Sequence, residues 1–87
     1  MNLQFPNRSR SYNETRHRIQ FWGHDSAKEV SFYLEADALA RIDPNGALDE
    51  DHALRTFDAN RARIEQAAAR AYSRQAHASY TLTASDL

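Results

Sequence analysis

Hydrophobic and polar residues alternate between positions 16 and 34. In "RHRIQFW", His17, Ile19 and Phe21 share one face, and Arg18, Gln20 and Trp22 share the other. A period of two marks a half-buried strand. After the turn "GHDSAK", Val30, Phe32 and Leu34 repeat the apolar face, with Glu29, Ser31 and Tyr33 opposite. The two runs predict a hairpin. Pairing Phe21 with Val30 and Ile19 with Phe32 sets Arg18 beside Tyr33 and Trp22 beside Glu29. A slip of two residues keeps the same faces, so the pattern fixes parity and leaves the register open.

Upstream, "NLQFP" alternates, with Leu3 and Phe5 on one side, and Pro6 ends or edges that strand. "NRSRSYNET" reads as a polar connection. Downstream, "EADALARI" switches to helical spacing, and "DPNG" stops it with residues suited to a turn. A long helix is expected from Asp49 to Arg74. Asp49, Glu50 and Asp51 crowd its positive end, while Arg70 and Arg74 sit near its negative end, both favourable to the helix dipole. At about 100° per residue, Leu54, Phe57, Ile64, Ala68, Ala71 and Tyr72 form one stripe, and the alanines permit close packing on a sheet. "ASYTLT" then alternates as a last strand, with Tyr80 and Leu82 on one face. The expected order is β-β-β-α-α-β, an α+β domain: a small antiparallel sheet with one long helix packed on one face.

The same segments carry a likeness to a known family. "LQFPNRSRSY", "RIQFWGHDSAKEVSFYLEADAL", "FDANRARIEQAAARAYSR" and "SYTLTASDL" resemble the domain of unknown function 1488 family, small bacterial proteins of about this length, essentially from end to end. The resemblance implies a bacterial, cytoplasmic α+β domain without an established activity. It supplies no catalytic residues.

Composition narrows the classes. A chain of 87 residues buries only roughly 60–65% of the surface its unfolded form exposes, so one domain over residues 1–87 is expected, without a deep substrate cavity. With 41% hydrophobic and 26% charged residues, it belongs with globular domains rather than disordered tails. No apolar run is long enough to span a bilayer. "MNLQFPNRSRSY" lacks the basic-then-apolar pattern of a secretory signal, so Asn7-Arg8-Ser9 and Asn13-Glu14-Thr15 are read as chance glycosylation sequons. The absence of cysteine excludes disulfides, thiolate chemistry and Cys-based zinc sites. A cytoplasmic location is expected.

Candidate chemistry is sparse. Histidines 17, 24, 52 and 77 lack the paired spacing of a metal-binding helix. His17 is expected at the core edge, and His24-Asp25-Ser26 as turn neighbours that cannot adopt triad geometry. The two glycines both fall in turns, so no phosphate-cradling loop is present. Glu35 and Asp37 read as charge at a helix start. Neither an enzyme nor a cofactor is expected.

Three features remain. Arg18, Gln20, Trp22 and Tyr33 form an aromatic-polar patch on the hairpin's outer face, a composition enriched at protein interfaces. It points to an interaction or regulatory module that forms a homodimer or meets a protein partner, unless Leu3 or Phe5 covers Trp22. Arg61 falls inside the helix stripe, either snorkelling outward or forming an ion pair at the core edge or a dimer seam. Arg63, Arg70 and Arg74 share the opposite strip and, as the alternative reading, could bind nucleic acid, although the net charge of −1 is unlike the basic balance of such domains.

Overall fold

The apolar faces read from the sequence become one side of a sheet. A computed structural model describes residues 3–46, 49–74, 77 and 79–87; the side chain of Arg74 falls outside that description. Strands β1 (Leu3–Gln4), β2 (Arg10–Asn13), β3 (Arg18–Asp25) and β4 (Lys28–Leu34) come first. Helices α1 (Ala36–Ile42), α2 (Glu50–Ala59) and α3 (Arg61–Arg74) follow, then β5 (Ser79–Leu82) and a 3-10 turn, Ala84–Asp86. The chain is α+β.

The sheet runs β1-β3-β4-β5, with β2 also paired to β3. Since β4 takes one whole edge of β3, β1 and β2 share the other. β1 pairs with residues 24–25 and β2 with residues 18–21. They amount to one edge strand broken by residues 5–9. β2 was expected as a connection because "RSYN" has no apolar alternation; backbone pairing alone makes it a strand. The asparagines of both sequons act locally. Asn7 Oδ1 accepts from the Ser9 amide, and Asn13 Oδ1 from those of Thr15 and Arg16, each at 3.0 Å. These are turn-forming bonds typical of asparagine.

Two expectations change. The sheet is mixed rather than wholly antiparallel, because β5 runs parallel to β4. Three helices return the chain to the start of the sheet, as a parallel connection requires, whereas alternation within "SYTL" is the same for either direction. The long helix is also two helices. At Asn60 the backbone leaves helical geometry (φ −120°, ψ 22°), and the side-chain Nδ2 donates to the Thr56 carbonyl at 2.9 Å. Asparagine offers the backbone an alternative to continuing the helix.

The hairpin adopts the two-residue-slipped register. Phe21 faces Phe32, Ile19 faces Leu34 and Gly23 faces Val30. The turn is then only Ser26-Ala27, with Ser26 at φ +56°, and the first positions of tight hairpin turns favour such angles. Phe21 and Phe32 stack at 5.3 Å, and Phe57 of α2 meets Phe21 at 5.2 Å. Ile19, Val30, Leu34, Ile64, Ala68 and Leu82 complete the core with no exposed surface. Leu3 and Phe5 pack where Gly23 lacks a side chain; a Cβ there would lie 3.0 and 3.1 Å from them. His17 is not at a core edge. It sits exposed in the β2–β3 turn at φ +53°, with Nδ1 2.8 Å from the Tyr12 hydroxyl.

A left-handed serine costs about 1 kcal/mol that glycine would not. Ser26→Gly is expected to stabilise the fold by roughly that amount, raising the melting temperature by about 4–8 °C for a domain of this size. An unchanged or lower melting temperature in thermal unfolding would contradict the turn geometry.

Candidate functional site

Side chains of one parity on β3, β4 and β5 fill the core. Those of the other parity make an outer face on which no described residue is fully buried. Strand pairing arranges this face in rows. Asn13 and Arg18 pair on the first row, where Glu35 reaches Arg18; Ser11, Gln20, Tyr33 and Thr81 make the second. Trp22, Ser31 and Ser79 form the third, and Gln4, His24 and Glu29 the fourth. Of the four residues singled out from sequence, Arg18, Gln20 and Tyr33 lie together, and Trp22 is one row along.

The first two rows are tightly bonded. Arg18 Nη1 donates to Glu35 Oε2 at 3.2 Å, with the two side chains 23% and 28% exposed, and the Arg18 guanidinium lies 4.3 Å above the Tyr33 ring. Gln20 Nε2 donates to the Tyr33 hydroxyl at 3.3 Å. An open cleft of about 390 Å³ borders this cluster, lined also by Ser11, Asn13 and Glu14. Glu35 was missed from sequence because it was read as helix charge. The two-residue slip brings it level with Arg18, and its carboxylate makes no capping bond to α1. Trp22 is half-buried on this face. Leu3 and Phe5 do not cover it, since both turn to the opposite side over Gly23.

β3 supplies the basic side chains of the strand rows, Arg18 and His24. Acidic Glu29 and Glu35 stand on β4 and just past its end. His24 Nε2 and Glu29 Oε2 are 3.9 Å apart. Opposite charges facing each other across strands stabilise the pairing modestly.

Arg61 is a different kind of residue. It is 6% exposed, so its head does not reach solvent. Nε donates to Glu65 at 2.8 Å, Nη1 to the Arg8 carbonyl at 3.2 Å and Nη2 to the Asn7 carbonyl at 3.3 Å. The guanidinium also lies 5.1 Å from the centre of the Phe57 ring. It ties α3 to the segment that interrupts the edge strand. Nearby, Arg10 grips Asp58 with two bonds of 3.0 and 2.8 Å. Those bonds hold the Asp58 carboxyl below its usual range.

The alternative arginine strip is partly occupied. Arg63 Nη2 donates to the main-chain oxygen of Leu87 at 3.2 Å, and Arg70 Nη2 to that of Asp86 at 3.1 Å. Both hold the 3-10 turn against α3. Arg74, the third member, lies outside the described side chains. Among the remaining histidines, His52 Nε2 is 3.0 Å from Asp43 Oδ2, and its amide receives the N-cap of Asp49. Among the described residues, no group of three or more metal-binding side chains converges, and no helix is long and apolar enough to cross a membrane.

Tyr72 of α3 donates its hydroxyl to Asp25 Oδ2 at 2.6 Å at the far end of β3. That bond, aided by burial and the nearby negative charge, pushes the phenol up to about 12.

The family model for "Protein of unknown function (DUF1488)" matches residues 3–83, and the chain belongs to this family. No curated protein and no solved structure matches it.

Arg61→Met keeps the volume of the stem but removes three donated bonds. It is expected to destabilise by about 2 kcal/mol, the scale of a charged, buried hydrogen-bonding group. Denaturant unfolding checks this, and a change below about 0.5 kcal/mol would show that the bonds to Asn7 and Arg8 are not maintained in solution. Tyr72 carries a pH signature. Its folded value lies above the ordinary 10.0, so its contribution is complete below pH 10 and is lost as pH rises toward about 12. Tyr72→Phe is expected to be less stable at neutral pH and to lose the part of the alkaline decline that belongs to this phenol. In ultraviolet titration the wild type should show one late-ionising tyrosine absent from the variant.

Proposed function

We propose that this DUF1488 protein is a non-enzymatic interaction or regulatory module that works through the outer face of its sheet. The observation that carries this reading is Trp22. The single tryptophan stands half-buried on that face, among Arg18, Gln20, Ser31 and Tyr33, while the apolar residues of the strands fill the other side. Large aromatic groups that lose little rotamer freedom, set among arginine and amide groups, are what protein interfaces concentrate. The contact is with protein, and self-association ranks first because symmetric pairs are the commonest assembly. Nucleic-acid binding through Arg63, Arg70 and Arg74 ranks below it, since Arg63 and Arg70 already donate to the chain's own carbonyl groups.

Trp22 reports on its own surroundings because no other tryptophan is present. Its emission should shift to the blue as protein concentration rises, and Trp22→Ala should weaken association by roughly tenfold or more, as loss of a central aromatic anchor does, while leaving the melting curve nearly unchanged. A variant that unfolds instead would make Trp22 a core residue and overturn the reading.

A further inference from the structure

The outer face has a charge pattern that selects one arrangement of two copies. Across the sheet the strand order on this face is β2, β3, β4, β5. The line between β3 and β4 is therefore its centre. It also divides the basic side chains, Arg18 and His24, from the acidic ones, Glu29 and Glu35. The strand positions flanking them, Ser11 and Asn13 on β2 and Ser79 and Thr81 on β5, are uncharged.

Resting on the interaction-face reading, we infer that two copies of this chain pack face to face about a two-fold axis running along the strands, between β3 and β4. That operation lays β3 of one copy over β4 of its partner, and β2 over β5. Every charged row is then complementary. Arg18 of each copy meets Glu35 of the other, and His24 meets Glu29. Gln20 falls over Tyr33, and Trp22 over Ser31. The bond types already made across the strands within one chain are repeated between chains, so each Arg18–Glu35 pair joins its symmetry mate in an alternating group of four charges.

The other in-plane two-fold, perpendicular to the strands, fails. It lays β4 over β4 and β3 over β3, setting Glu35 against Glu29 and Arg18 against His24. Like charges brought together at an interface suppress the wrong arrangement. Antiparallel and parallel sheets both stack at about 10 Å with their strands within about 30° of each other, so the selected arrangement is an ordinary sandwich.

The size of the face sets the expected strength. Four strands about 4.8 Å apart, the longest with eight residues rising about 3.4 Å each, give a flat footprint of roughly 500 Å² per copy. Side-chain relief raises the accessible area above that, toward the roughly 800 Å² per partner of a standard interface. The pair should be a reversible dimer that dissociates on dilution.

Charge reversal tests the axis directly. Arg18→Glu alone faces Glu35 of its partner with like charge, and Glu35→Arg alone faces Arg18. In an equimolar mixture both interchain contacts become opposite-charge pairs. Sedimentation should find each variant monomeric at concentrations where the wild type is dimeric, and the mixture dimeric again. A variant that dimerises like the wild type, or a mixture that stays monomeric, overturns the inference. Circular dichroism establishes that each variant is folded. If one is not, a nitroxide on Thr81→Cys in an unenriched chain, mixed with nitrogen-15-labelled wild type, reads the same axis: the strongest broadening should fall at Ser11, and a maximum elsewhere overturns it. Concentration-dependent Trp22 emission without these patterns would refute this axis and leave the interaction face standing. Emission unshifted at every concentration, with a monomeric wild type, would defeat both self-association and the axis.

Discussion

The stacking of Phe21 on Phe32 is the contact on which the rest of the structure depends. Each ring occupies the inner face of its strand at the centre of the hairpin, 5.3 Å from the other. Phe5 and Phe57 close around Phe21, and Tyr80 stacks on Phe32 at 5.5 Å. Aromatic pairs of this kind add stabilisation beyond the area they bury. They also choose a register. With Phe21 opposite Phe32, the turn is reduced to two residues, and Gly23 falls where Leu3 and Phe5 need space. On the other side of the same strands, Glu35 comes level with Arg18 and Tyr33 with Gln20. The core thereby composes the surface.

The edge of the sheet follows a second constraint. An uninterrupted strand along β3 would present a long free edge, and proteins break or cover such edges. Here residues 5–9 leave the ladder between β1 and β2. Phe5 goes into the core, and the carbonyls of Asn7 and Arg8 turn to Arg61. A buried guanidinium is tolerated because its donors are engaged by Glu65 and two carbonyls and its face rests near Phe57; an unpaired charge in that place would be costly. The same interruption leaves Trp22 and Gly23 between the two short ladders. Gly23 looks inward at Phe5, and Trp22 looks outward.

Charge is sorted in a way that net charge conceals. The chain as a whole is nearly neutral, yet its cations and anions are engaged locally. Arg10 with Asp58 and Arg61 with Glu65 hold the helices and the edge together. Arg63 and Arg70 hold the final turn. Only Arg18 with Glu35 and His24 with Glu29 lie on the open face. Partly exposed pairs of this kind contribute little to folding stability, on the order of 1 kcal/mol or less, and their larger consequence is for orientation of whatever meets the face.

Much of this was legible in the sequence, because alternation and helical spacing report directly on which side chains leave water. The inner faces of β3, β4 and β5, the boundaries of α1, and the stripe through Phe57, Ile64, Ala68 and Tyr72 all follow from periodicity. So does the outward position of Trp22. Other features depend on where the chain meets itself again. Parallel pairing of β5 leaves no trace in "SYTL", because alternation is identical in both directions. The break at Asn60 turns on one side-chain bond to Thr56 that competes with the helix. The hairpin register was ambiguous by two residues, since either choice buries the same side chains; only the fit of Phe21, Phe32, Gly23 and Phe5 in three dimensions decides it. Arg61 shows the same limit. Its place in an apolar stripe was visible, but the carbonyls that make its burial tolerable come from residues more than fifty positions away, brought there by the fold alone.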